Sequence, residues 1–278
     1  MAGKRPEHTG PAELFYDERE ARKYTSNSHV ISVQAQLTDR AIELLALPDS
    51  DSSYFLLDIG CGSGLSGEVI SDQGHVWVGI DVSQSMLDVA IEREVDGDLI
   101  LHDMGTGVPF RAGVFDGAIS ISALQWLCNA DSKDQNPVQR LLRFFSSLYA
   151  SLNRGSRAVF QFYPENSAQV ELITKQAMKA GFRGGVVVDF PNSTKAKKMY
   201  LVLFTGGTMP QLPKGLESEE SLPRHVPYSS ERQPGEFSKK FSKGSKGWIM
   251  KRKEKARRLG KDVKSDSKYT GRKRRTAF

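Results

Sequence analysis

Four acidic residues recur at intervals through the middle of this chain, each closing or opening a short apolar run. Asp58 ends YFLLD, Asp81 ends HVWVGID, Asp103 follows DLILH, and Asp116 opens DGAISIS. After the first acid come glycines at 60, 62, 64 and 67, giving the order acid, x, Gly, x, Gly, x, Gly. Glycine allows the sharpest backbone turns and the closest approach of a ligand to the main chain. Residues Leu65 to Gln73 have helix-compatible spacing, so the loop joins a strand's carboxyl end to a helix's amino end. That is where a doubly wound sheet takes up a nucleotide-like ligand. Asp81 follows Gly60 by 21 residues, close to the spacing of an acid that binds ribose hydroxyls.

The stretch GSGLSG also satisfies the dinucleotide pattern GxGxxG, which alone is a weak signal. Asp58 separates the readings, because a carboxylate at that strand end suits a cationic ammonium better than a pyrophosphate. The arrangement resembles motif I of class I S-adenosylmethionine-dependent methyltransferases. That resemblance implies S-adenosyl-L-methionine as cofactor, held by Asp58, Gly60, Gly62, Gly64, Asp81, Asp103 and Met104. It also implies that Asp103 bonds the adenine amino group and Met104 packs on the ring. Taken singly, each acid reads as a helix cap or a solvated loop residue; taken together and in order they do not.

Alternating elements must position these residues. Strands are expected near 54–59, 76–81, 98–102, 114–121, 157–163, 184–190 and 199–205, and helices near 29–47, 63–73, 83–95, 136–152 and 166–180. This cadence predicts an α/β fold with a seven-stranded, mostly parallel, doubly wound sheet, Rossmann-like, followed by a basic C-terminal extension. The methyltransferase resemblance implies strand order 3-2-1-4-5-7-6 with an antiparallel last strand, which leaves 98–102 as an edge. The expected divisions are an N-terminal helical segment at 1–47, the methyltransferase domain at 48–206, a Pro-rich linker at 207–238 and a basic tail at 239–278. Residues 1–13 read as flexible. The following segment, with Phe15, Tyr16 and Tyr24, reads equally as a lid or as a helix anchored in the core.

Composition narrows the function classes. The 278 residues are 38% hydrophobic, enough for one substantial core, and no run of 18 apolar residues occurs. The opening MAGKRPEHTG lacks the apolar segment of a secretory signal, so a soluble intracellular protein is expected. Two cysteines, 61 and 128, and five scattered histidines predict neither a disulfide framework nor a metal site. Charge is divided unevenly. Residues 239–278 hold 17 Lys and Arg against 3 Asp and Glu, which leaves 22 against 30 in residues 1–238. Such a tail suits phosphate neutralisation on nucleic acid, or nuclear targeting.

A methyl on a sulfonium is already activated, so the protein's task is chiefly to position a nucleophile. Guanine N7 has a free lone pair and needs no base. The strand ends expected to face the methyl carry ALQWLCN and QFYPENS, which contain neither His nor Lys. Trp126, Phe162 and Tyr163 are placed to stack on an extruded base, and Glu165 to accept from a guanine Watson–Crick edge. Against the last, Asn166 and Gln169 have capping-box spacing.

Beyond motif I, the stretches FYDEREARKYTSNS, ISISALQWLCNA, QFYPENS, GGVVVDFPNSTKAKKMYL and YTGRKRR resemble the eukaryotic small-subunit ribosomal RNA (guanine-N7) methyltransferase family over nearly the whole chain. The family implies methylation of one guanine in that RNA, a role in subunit biogenesis in the nucleus, and a complex with a small zinc-binding methyltransferase activator, which would suit edge strand 98–102. One departure is His29, where the family usually has Arg. The alternatives are a non-catalytic assembly factor that keeps the fold, and a methyltransferase acting on another RNA, a protein or a small molecule.

Overall fold

The computed structural model describes residues 5–48, 52–130, 135–193, 196–206, 212–216, 245–258 and 263–266. Contacts divide the chain into two units, 1–219 and 220–278. The first unit is built on seven strands: β1 Phe55–Ile59, β2 Val76–Asp81, β3 Asp98–Leu101, β4 Phe115–Ile121, β5 Leu152–Phe162, β6 Arg183–Asp189 and β7 Lys198–Phe204. They form one sheet in the order β3-β2-β1-β4-β5-β7-β6, with β7 antiparallel to both neighbours, as expected.

Successive residues of β1 enter different cores. Leu57 joins a cluster with Phe144, Phe145, Phe160 and Ile173, while Leu56 joins one with Leu37, Ile70 and Trp77. Burial on both faces explains why the central strands read as unbroken apolar runs. Short helices α1 (Ala12–Phe15) and α2 (Glu18–Ser26) precede α3 (Ser28–Leu45), which supplies one face together with α4 (Leu65–Asp72) and α5 (Gln84–Glu92). The other face is covered by α6 (Pro137–Ser151) and α7 (Ser167–Lys179). Helix starts follow capping chemistry: Asn27, Ser83, Asn136 and Asn166 each accept a backbone N–H of the first turn.

Three sequence expectations shift. Of the expected flexible stretch 1–13, residues 1–4 lie outside the described residues, while 5–13 carry a 3-10 turn at Pro6–His8 and the start of α1, and Arg5 donates to the carbonyls of Tyr163 (2.8 Å) and Pro164 (3.1 Å). Strand β5 starts five residues early. Its first half, LNRGS, is polar and partly exposed, and the register shifts between its pairings with Phe115 and Gly117. In the proline-rich stretch, residues 212–216 are docked rather than loose. Phe190 N–H donates to the Leu216 carbonyl at 2.6 Å, Leu216 N–H donates to Asp189 at 2.8 Å, and the buried Asp189 also holds Arg40 of α3. In the second unit, part of the basic tail forms α8 (Lys246–Arg258), where the Trp248 ring lies 5.0 Å from the Arg252 guanidinium. Leu259 and the terminal YTGRKRR lie outside the described residues.

One tight constraint between the sheet and its helices is the seat of Trp77. A Cβ on Gly67 would lie 2.0 Å from its ring, one on Gly97 2.2 Å and one on Gly79 2.7 Å. Gly67→Ala gains about 1 kcal/mol of helix propensity in α4 but must displace a buried indole, an overpacking cost of about 1–3 kcal/mol. Urea denaturation should therefore show a net loss for Gly67→Ala; a gain would mean that Trp77 repacks freely.

Candidate active site

The turn after β1 is tied to the end of β2. Gly60 N–H (2.8 Å) and Cys61 N–H (3.1 Å) donate to the Ile80 carbonyl, and Gly62 N–H donates to Asp81 Oδ2 at 2.8 Å. Asp81 Oδ1 accepts from Ser83 N–H at 2.8 Å. Gly60 and Gly62 have φ of 73° and 52°, and a Cβ on either would strike Ala123 or Met86. Above this turn opens a cleft of about 1000 Å³, mouth included, between the carboxyl ends of β1, β2 and β4 and the N-terminal helices.

The cleft brings together most of the residues singled out by sequence. Gly60, Gly62, Asp81, Asp103, Met104 and Trp126 all line it. Asp58 lies beneath the floor, fully buried, and Ser66, which does line the cleft, donates to its Oδ2 at 2.5 Å. Among the described residues, Asp58 Oδ1 and Ser63 Oγ are buried without a hydrogen-bond partner, and burial raises the Asp58 carboxyl to about 7. An electron-rich floor with unsatisfied oxygens matches a cationic amino group. Gly64 serves the turn, since it caps α4 at φ 77° with Val95 against its Cα.

Asp103 carries more structure than the sequence suggested. Arg140, from the first turn of α6, donates through Nη2 to both of its oxygens at 2.8 Å, and Gly105 N–H donates to Oδ1 at 2.8 Å. Gly105 must lack a side chain there, because a Cβ would lie 2.3 Å from Arg140 Nε. Arg140 itself lines the cleft. So do Tyr16 and Tyr24, from the segment that the sequence left divided between lid and anchor, and their packing is that of an anchor. They pack on Met86, Val89 and Ala21, and the Tyr16 carbonyl accepts from Ser83 Oγ at 2.8 Å. Burial and then the nearby Asp81 push the Tyr16 hydroxyl up to about 12, and burial raises Tyr24 as well. Phe15 and Tyr16 meet Trp126 with centroids 6.0 and 5.9 Å away.

The other base-stacking and base-reading expectations fare differently. Phe162 is 1% exposed in the core and cannot stack on a ligand. Tyr163 is half-buried outside the cleft lining, with Lys198 Nζ 5.3 Å from its ring centroid. Glu165 is exposed and 3.5 Å from His8, and its N–H donates to Gln169, while Asn166 caps α7. The capping reading of PENS is the one the structure shows. His29 is exposed in the first turn of α3. Among the described residues no group of three metal-ligating side chains occurs, and no helix is long and apolar enough to cross a membrane.

The fold and cleft are those of a class I methyltransferase domain. A general methyltransferase-domain family matches residues 57–160, and a family described as "Methyltransferase involved in Williams-Beuren syndrome" matches residues 203–276. Among solved structures, magnesium protoporphyrin IX methyltransferase from Synechocystis PCC 6803 with bound SAM superposes with a TM-score of 0.53 at 17% identity, covering 74% of this chain and all of that one, a likeness of fold. The 18S rRNA (guanine-N(7))-methyltransferase of Mus musculus is 58% identical over 278 residues, covering 99% of this chain and 98% of that protein. Enzymes of that name from Arabidopsis thaliana and Saccharomyces cerevisiae are 52% and 50% identical, covering 99% of both chains in each pair. The chain belongs to the 18S rRNA (guanine-N7)-methyltransferase family.

The buried Asp58 sets a pH test. Its folded value, raised from 3.8 to about 7, means that its contribution to stability is fully present below the unfolded value and is lost as pH rises through 7. In ligand-free protein, Asp58→Asn should match wild type near pH 4 and exceed it at pH 8 by on the order of 1–3 kcal/mol in urea denaturation. A variant less stable at pH 8 would show that the charge is compensated in the folded state.

Proposed function

We propose that this protein transfers the methyl group of S-adenosyl-L-methionine to N7 of a guanine in 18S ribosomal RNA, as a step in small-subunit biogenesis. The observation that carries the reading is similarity at 58% identity running from one end of the chain to the other, basic tail included. The cleft fits the cofactor. Asp81 would receive the ribose hydroxyls, while Gly60 and Gly62 leave the main chain open to the ligand. Ser63, Ser66 and the negative potential of Asp58 beneath them would receive the amino acid end. Asp103, oriented by Arg140, and Met104 would take the adenine. When bound, the cofactor supplies an activated methyl. The chain supplies position and exclusion of water, through the Tyr16, Tyr24 and Trp126 surround. N7 needs no general base, and neither ALQWLCN after β4 nor QFYPENS at the end of β5 contains a His or Lys.

Asp81→Ala should weaken cofactor binding by about tenfold or more in calorimetry. In parallel, mass spectrometry of 18S ribosomal RNA should lose the N7-methylguanine signal; retention of both binding and signal would remove Asp81 from the site.

The partner and the location belong to the same proposal. A small zinc-binding methyltransferase activator would add a strand to β3. That strand pairs with β2 along one side and ends in Leu101, which is 52% exposed, whereas the opposite sheet border carries residues 212–216. An edge of this kind recruits strands. The basic tail would hold RNA phosphates and direct the protein to the nucleus. Hydrogen exchange with and without the activator should show new protection of amides 98–102; unchanged exchange in a formed complex would place the partner elsewhere.

A further inference from the structure

Among the described residues that line the cleft, Ser122 alone has a positive φ without being glycine. It follows β4 directly, with φ of 59°, a left-handed conformation that side chains seldom adopt. Three hydrogen bonds hold it there: its N–H donates to the Gln161 carbonyl at 2.9 Å, its hydroxyl donates to Gln161 Oε1 at 2.7 Å, and its carbonyl accepts from Gln125 Nε2 at 2.8 Å. Both glutamines are buried, and among the described residues Gln161 Nε2 and Gln125 Oε1 have no hydrogen-bond partner. An unfavourable backbone conformation and two half-satisfied buried amides therefore converge on one cleft residue. Costs of this kind cluster at functional sites.

The same bonds decide what Ser122 can offer a ligand. A serine hydroxyl carries one proton and two lone pairs, and here the proton is taken by Gln161. Only lone pairs remain for the cleft. The next residue lies against the glycine turn, since a Cβ on Gly60 would come 2.4 Å from the Ala123 Cβ, and the Ala123 carbonyl accepts Trp126 N–H at 3.1 Å. Ser122 thus opens the loop that runs from the turn to the Trp126 ring. With the ribose at Asp81 and the amino acid end at Ser63 and Ser66, the sulfonium that joins them falls over that turn. During transfer the N7–carbon bond forms as the carbon–sulfur bond breaks and leaves its electron pair on sulfur. Positive charge departs from sulfur and arises on the guanine ring. An oxygen fixed beside this path with its lone pairs free stabilises the charge without having to reorient.

We propose that Ser122 is a catalytic residue whose hydroxyl oxygen faces the sulfonium methyl, and that Gln161 is its positioning residue, holding the hydroxyl proton away from the cleft. This rests on the cofactor placement and the guanine-N7 methyltransferase reading. The test is calorimetry on the full-length protein with S-adenosylmethionine and with S-adenosylhomocysteine, which lacks both the methyl and the charge. Ser122→Gly suits the left-handed backbone, and Ser122→Ala keeps the Cβ and deletes only the hydroxyl. Each should shift the ratio of the two affinities against S-adenosylmethionine by about three- to tenfold relative to wild type. Gln161→Leu should shift it the same way by less. Methyl transfer to a small-subunit RNA fragment should fall in both serine variants by about tenfold in kcat, with KM for the RNA unchanged. A ratio that stays at the wild-type value in the serine variants, whether or not both affinities fall, overturns the assignment alone; a wild-type ratio in Gln161→Leu removes the positioning role. Failure of folded wild type to bind either ligand overturns the cofactor reading and the assignment with it.

Discussion

The site depends on one close approach of backbone to backbone. The turn leaving β1 comes within hydrogen-bonding distance of the end of β2, so that three successive N–H groups are held by Ile80 and Asp81. Side chains at 60 or 62 would collide with Ala123 or Met86 and would force a positive φ on residues that resist it. Once the turn is closed, α4 starts at a fixed angle, Ser66 reaches Asp58, and Asp81 is aimed across the cleft. The geometry of the floor follows from the absence of atoms rather than from their presence.

Charge is arranged in layers around that floor. Asp58 is the deepest and is destabilised by burial; Asp81 above it is held by two backbone N–H groups; Asp103 at the far end is braced by a guanidinium. Burial of polar groups with unused hydrogen-bonding capacity is costly. Asp58 Oδ1 and Ser63 Oγ carry that cost, since among the described residues neither has a hydrogen-bond partner.

Much of this was legible in the sequence because local chemistry and global fold agree. The acid and glycine spacing placed the loop, apolar runs buried on both faces marked the central strands, and apolar residues at helical spacing marked the helices. What escaped depends on contacts far apart in the chain. Arg140 lies 37 residues from Asp103, in a helix whose register gives no hint of an inward charge. The early start of β5 is hidden in LNRGS, where sheet pairing overrides poor strand propensity. The stretch after Arg5 looked loose because the anchors of Arg5, Tyr163 and Pro164, are more than 150 residues away and accept through main-chain carbonyls, which carry no residue signature. The glycine at 67 read as part of the loop fingerprint, yet its neighbour is Trp77, so it serves the packing of helix on strand.

The segment 212–216 along β6 has a consequence for how copies of this protein can associate. A sheet open at both borders can grow without limit, each new molecule offering a fresh template. Here the chain's own Leu212–Leu216 stretch blocks one border, with Gly215 packed against the Val188 carbonyl and Leu212 over Gly185. Among the described residues the β3 border is the one left for another strand, so union through it joins two sheets edge to edge and uses up the template in doing so.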